Sequence, residues 1–262
     1  MKLPLYQIDA FTDKIFGGNP ACVVPLQEWL PDDILLKIAG ENAVAETAFF
    51  IDKGDKVHLR WFTPEVEMDL CGHATLAASH VLKDILKHPG EKINFETLGG
   101  DLEVKVKDGL YTLDFPSRNP LATEFPSLLA NSLNIHPDEV LKARDFVLVF
   151  PTEDDVKNIE INRLHFDKLE LGTGGVIFTA PGKDCDFVSR FFTPRATVFE
   201  DPVTGSAHCS LIPYWSNRLG KTEMLARQIS ARGGKLKCKE AGERVFISGN
   251  ARTYSIGEFW TE

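Results

Sequence analysis

Apolar and polar positions alternate in short runs over most of this chain, the period-2 pattern of half-buried strands. Leu5 to Phe11, Ala21 to Val24, Thr47 to Ile51 and Val57 to Phe62 read as strands, separated by turn signals at Gly17-Gly18-Asn19-Pro20 and Gly54-Asp55. Helical spacing begins at Pro31-Asp32-Asp33, where proline and acids suit a first turn and Ile34, Leu35, Ile38 and Ala39 line one face. It returns from His73 to Leu86. Ala74, Ala77, Ala78, Val81, Leu82 and Ile85 spread around most of that helix, which predicts burial on nearly all sides. Strands at Ile93–Thr97, Leu102–Val106 and Tyr111–Phe115 complete the first half.

Pro116-Ser117-Arg118-Asn119-Pro120 has the composition of a linker. Beyond it the pattern predicts helices at Pro126–Leu133 and Ser206–Leu219. Strands are expected at Phe146–Phe150, Val176–Thr179, Phe187–Phe192, Gln228–Ala231, Lys235–Cys238, Val245–Ser248 and Thr253–Phe259. Many short strands and one long apolar helix in each half point to an α+β fold of two pseudo-symmetric domains, each a curved mixed β-sheet wrapped around a central helix. The expected domains are residues 1–117 and 118–249, with the strand at 250–262 able to return to the first half.

The halves also echo each other in sequence. Arg60-Trp61-Phe62-Thr63-Pro64 returns 130 positions later as Arg190-Phe191-Phe192-Thr193-Pro194. Each copy precedes a small-residue helix start, Cys71-Gly72-His73-Ala74-Thr75 in one and Thr204-Gly205-Ser206-Ala207-His208 in the other. Leu98-Gly99-Gly100-Asp101-Leu102 then has its echo in Arg232-Gly233-Gly234-Lys235-Leu236. Paired landmarks in one order at nearly constant offset imply a duplicated domain, too long for a solenoid repeat, with a cleft between the halves.

Composition narrows the function. A formal net charge of −9 and no basic run argue against a nucleic-acid partner. No long apolar segment suggests a membrane span or signal peptide. The 5 cysteines are odd in number and form no CxxC pair, the usage of a reducing compartment. A cytoplasmic protein is expected. His73 and His80, seven apart, offer no third ligand, so no metal site is expected.

The first-turn N–H groups of a helix lack intrahelical partners and carry partial positive charge. Glycine at Gly72 and Gly205 lets a ligand approach them, so two such starts facing one gap would hold a carboxylate. Tight packing of two buried helices would equally favour small residues there. Catalysis needs unlike groups, and the halves supply them: His73 against Ser206, Asp201 just ahead of the second helix, and Glu46 at a helix-to-strand junction. Glu46 is a candidate general base, although a carboxylate at such a junction also suits a surface loop.

These motifs, with Gly17-Gly18-Asn19-Pro20, Glu46-Thr47-Ala48-Phe49 and Glu200-Asp201-Pro202-Val203-Thr204-Gly205-Ser206-Ala207-His208, resemble the phenazine-biosynthesis PhzF-like isomerases over essentially the whole chain. That family is a branch of the diaminopimelate epimerase-like fold. The resemblance implies two domains of matching topology with an active site between them, a homodimer, and no cofactor. In the phenazine enzyme a glutamate moves a proton on a dihydro-hydroxyanthranilate, and that residue matches Glu46. Substrate-contacting residues match His73, Asp201 and Ser206, the helix-start glycines match Gly72 and Gly205, and the asparagine of the GNP turn matches Asn19.

Related racemases use one cysteine at each helix start. Here Cys71 is retained, but Thr204 holds the partner position and cannot serve as a thiolate base. The expected activity is therefore a cofactor-independent proton shift on a small carboxylate-bearing metabolite. The alternatives are a non-catalytic binding or scaffold protein and a one-base epimerase.

Overall fold

The computed structural model describes residues 1–261. The chain divides into two compact units, residues 1–115 with the chain from Phe246 onward, and Pro116–Val245. The fold class is α+β.

The first unit runs β1 (Lys2–Ala10), β2 (Asn19–Pro25), α1 (Asp32–Asn42), β3 (Glu46–Asp52), β4 (Val57–Phe62), β5 (Glu67–Met68), α2 (Gly72–His80), β6 (Lys92–Thr97), β7 (Gly100–Lys107) and β8 (Leu110–Pro116). Its sheet is mixed. β1–β2, β3–β4, β6–β7 and β7–β8 are antiparallel, whereas β2–β3 and β4–β6 are parallel. Parallel neighbours need a crossover, and the two helices supply them: α1 joins β2 to β3 and α2 lies between β4 and β6. α1 packs Leu35, Ile38 and Ala39 on a core that includes Leu3, Val24, Phe49 and Phe62.

Every residue of α2 is buried, as its all-round apolar pattern predicts. The expected single helix to Leu86 is interrupted, however. After His80 the backbone widens into a π-turn over Val81–Ile85. Side-chain bonds hold that turn: His80 Nδ1 lies 3.0 Å from Tyr111 Oη, whose hydroxyl donates to Asp84 Oδ2 at 2.6 Å.

The second unit continues with β9 (Leu121–Ala122), α3 (Ser127–Ala130), β10 (Glu139–Lys142), β11 (Phe146–Val149), α4 (Glu153–Lys157), α5 (Arg163–Phe166), β12 (Val176–Pro181), β13 (Phe187–Phe192), β14 (Glu200–Asp201), α6 (Gly205–Leu219), β15 (Glu223–Gln228) and β16 (Gly234–Ala241). The alternation repeats: β10–β11, β12–β13 and β15–β16 are antiparallel, β11–β12 and β13–β15 parallel, with helices in both crossovers. A phenylalanine-rich core of Phe146, Phe150, Phe166, Phe178 and Phe192 fills this unit. β17 (Arg244–Gly249) and β18 (Ala251–Trp260) end the described chain, and β18 pairs antiparallel with β1 from Lys2↔Trp260 to Ala10↔Ala251.

Two local expectations are corrected and one unexpected helix is added. The strand expected at Gln228–Ala231 ends at Gln228 instead, because Met224, Ala226 and Gln228 form its buried face. The helix expected over Pro126–Leu133 is one turn, with Ser132 Oγ donating back to Leu129 O. α4 was absent from the apolar pattern, yet a Thr152/Asp155 capping box starts it.

Candidate active site

The approach to each helix start is braced in the same way. Arg60 on β4 donates to both carboxylate oxygens of Glu67 on β5 at 2.7 Å, and its guanidinium lies 5.0 Å from the Phe62 ring. Arg190 on β13 grips Glu200 on β14 at 2.7 and 2.9 Å, 4.8 Å from Phe192. Bidentate pairing fixes planar groups in register, so both arginines are braces. After each brace the chain enters a helix whose N-cap, Cys71 or Thr204, makes no side-chain cap bond.

In the first unit the chemistry gathers at the start of α2. Glu46 opens β3 and registers with Ala21 of β2, two residues after Asn19. Gly18 adopts φ +64°, and a Cβ there would meet Ala10 O at 2.0 Å, so only glycine permits the turn that leads into the buried Asn19. His73 is buried at 3% exposure. Its Nε2 lies 3.1 Å from Glu46 Oε2, and its Nδ1 lies 3.7 Å from Cys71 Sγ. The first separation suits an ion pair, but the alignment is not that of a hydrogen bond, and both atoms are buried without a hydrogen-bond partner among the described residues.

Burial disfavours the His73 imidazolium, but the anionic charge available at Cys71 and Glu46 outweighs it, holding His73 well above its ordinary value of 6.5. Burial, reinforced by Glu46, pushes the Cys71 thiol up. Cys71 and Glu46 thus bracket an imidazole held toward its charged form.

Glu46, Cys71 and His73 offer ligand atoms within 4.8 Å of one another. Sequence reasoning paired His73 with His80 and found no third ligand. The structure instead sets His73 between a carboxylate and a thiol, while His80 bonds Tyr111 and Thr253. Glu46 and Cys71 approach opposite ring nitrogens, an order that suits proton traffic through the imidazole better than shared coordination of one ion.

In the second unit, Asp201, Gly205 and Ser206 cluster at the start of α6. Asp201 accepts a hydrogen bond from the Thr204 hydroxyl, and Gln228 accepts from Thr204 N at 2.8 Å while donating to Asp201 O at 2.6 Å. Ser206 Oγ accepts from Arg144 Nη2 at 2.9 Å, and Arg144 is held by the buried Asp145. Sequence reasoning missed all three as site residues: Arg144 and Asp145 lie far from every motif, and Gln228 read only as the start of a strand, so that the sheet alone brings them to the helix. His208 donates Nδ1–H to Thr204 O at 2.8 Å, and burial pushes it down to about 4, so it is neutral.

Residues 8–257 match the phenazine biosynthesis-like protein family. An uncharacterized isomerase of Pseudomonas aeruginosa is 47% identical over 258 residues, covering 98% of each chain. The crystal structure of a PhzF-family phenazine biosynthesis protein from Enterococcus faecalis superposes with TM-score 0.94 at 42% identity, covering 100% of both chains. A hydroxyproline epimerase from Agrobacterium vitis shares the fold, with TM-score 0.62 at 13% identity over 98% of this chain and 92% of its own. The chain belongs to the phenazine biosynthesis-like PhzF family. It is an enzyme of the isomerase type.

Proposed function

We propose that this enzyme is a cofactor-independent isomerase that moves a proton on a small carboxylate-bearing metabolite, with Glu46 as base and then acid. One observation carries the reading: Glu46 and His73 meet in a buried position with their facing atoms free of hydrogen bonds. A carboxylate held there has open lone pairs and little competing water. His73, kept cationic, stabilises the Glu46 anion before proton abstraction and negative charge on the substrate afterwards. The free amides of Gly72 and His73 bind the substrate carboxylate, and Asn19 orients it.

Asp201, Gly205 and Ser206 contribute further binding contacts under this proposal, and the enzyme works as a homodimer. The Thr204 hydroxyl, bonded to Asp201, supplies no second thiol, which supports a single acid/base residue over a two-cysteine racemase. Among the described residues no helix is long and apolar enough to cross a membrane, in keeping with a dissolved small-molecule substrate.

Solvent deuterium exchange into a turned-over acid tests the mechanism. Glu46→Gln should abolish exchange while binding persists, and unchanged exchange in that variant would remove Glu46 from the chemistry. Chiral analysis of the product separates a proton shift from inversion of one stereocentre.

A further inference from the structure

The braced motif ahead of each helix start differs between the halves at one position, Trp61 in Arg60-Trp61-Phe62-Thr63-Pro64 against Phe191 in Arg190-Phe191-Phe192-Thr193-Pro194. Both side chains are buried. A phenyl ring thus fills the equivalent place in the second unit, and what the first unit adds is an indole N–H. Trp61 is 0% exposed, and its Nε1 has no hydrogen-bond partner among the described residues. A buried donor without an acceptor is costly unless a ligand completes it.

Sheet register puts this donor on the same side as the chemistry at α2. Trp61 lies opposite Ala48 of β3 and opposite Met68 of β5, and Met68 is three residues ahead of the Cys71 N-cap. Opposed residues share a face of a sheet, as do alternate residues of one strand. Trp61 therefore shares a face with Ala48 and Glu46, and Glu46 shares it with Ala21 and Asn19 of β2. Phe49 and Phe62, on the other face, pack against α1. Glu46 meets His73, so the face that holds Trp61 is the one α2 covers. Ordinary strand spacings set the Trp61 and Glu46 backbones roughly 8 Å apart, within the combined reach of an indole and a carboxylate side chain.

An indole N–H donates and cannot accept, and the neighbouring His73 is held toward its charged form. Both disfavour an ammonium group and both suit an oxygen. We propose that the Trp61 N–H is a specificity-determining donor for the isomerase reaction, taking an oxygen that the substrate carries near its carboxylate, so that the substrate is a hydroxy or oxo acid and not an amino acid. The donor takes this role only if the α2 start binds the substrate carboxylate, as under the proposed function.

The test is calorimetric titration of the full-length protein with butyrate and with its 2-hydroxy, 3-hydroxy, 2-amino and 3-amino derivatives. Wild type should bind at least one hydroxy acid about tenfold or more tightly than butyrate and than the amino acid substituted at the same carbon. Trp61→Phe, which copies the residue at position 191, should lose that preference while butyrate binding and urea unfolding stay unchanged. If Trp61→Phe does not fold, replacement of Trp61 by 3-(3-benzothienyl)alanine, with sulfur in place of the N–H, reads the same preference. Equal affinity for butyrate and both hydroxy acids, an amino acid bound as tightly as its hydroxy counterpart, or binding of none of the five would overturn the assignment. So would a preference that survives loss of the N–H, or a variant that weakens all five alike, which would leave Trp61 a packing residue. Loss of the preference in Trp61→Phe together with normal exchange in Glu46→Gln would keep the donor and discard the Glu46 mechanism. A surviving preference with exchange abolished in Glu46→Gln would do the reverse.

Discussion

Glu46 Oε2 stands 3.1 Å from His73 Nε2 in a buried pairing that leaves both atoms without a hydrogen bond. The contact has a thermodynamic signature. His73 is held above its ordinary 6.5, so its protonated form stabilises the fold fully below about pH 6.5. That contribution is lost as pH rises through the elevated folded value. Urea unfolding from about pH 6 to about pH 10 should show falling stability over this range, with a shallower fall in Glu46→Gln. Superimposable profiles would mean that Glu46 does not hold the proton on His73.

Removing the carboxylate should also act on rate. Glu46→Gln is expected to lower turnover by about 10²- to 10⁴-fold, the usual contribution of a positioned acid/base group, while KM stays within a few-fold. A change confined to KM would assign Glu46 to binding.

Cys71 tests the opposite expectation. Its thiol is buried and pushed up, so it stays protonated at neutral pH. It should resist alkylation by iodoacetamide near pH 7.5 in the native protein. Cys71→Ala should keep exchange activity within about threefold and cost about 1 kcal/mol of stability for the small void. Rapid alkylation, or loss of activity comparable to Glu46→Gln, would make the thiol a participant in proton transfer.

His208 gives a second pH dependence, of opposite sign. It is buried and pushed down to about 4, whereas the unfolded chain titrates near 6.5. Stability is therefore complete above about pH 6.5 and declines as pH falls toward 4, by roughly 2–4 kcal/mol over the window. His208→Gln should flatten acid unfolding in that range. An unaltered acid limb would show that other groups control it.

The two arginine braces should respond alike. Arg60→Lys and Arg190→Lys each replace a forked grip with a point charge, at a cost of about 1–2 kcal/mol. Thermal unfolding of the two variants checks this. A negligible cost in both would reduce the braces to surface ion pairs.

How far the sequence could be read follows from which interactions are local. Burial on all sides of α2 was legible because its alanines and aliphatic residues leave no polar face. The helix starts and their glycines were legible because the Phe-Thr-Pro braces punctuate them. Asp145 and Arg144 were not, since their partners Gly175 and Ser206 lie about 30 and 60 positions away and no residue pattern marks them. The centre around His73 was half legible. Glu46 and His73 stood out singly, but Cys71 read only as the retained half of a cysteine pair, and only the register of β3 beside β2 explains why the carboxylate arrives at that helix end. The π-turn escaped because apolar spacing continues smoothly through Val81, Leu82 and Ile85.

That widened turn carries one residue more per turn than its neighbours. Buried Val81 and Leu82 and the Tyr111–Asp84 bond lock that extra residue in place. The far end of α2 is therefore tied to β8 through Tyr111, so that lengthening the chain between His80 and Ile85 would break buried packing first and leave no slack to pass on to Gly72.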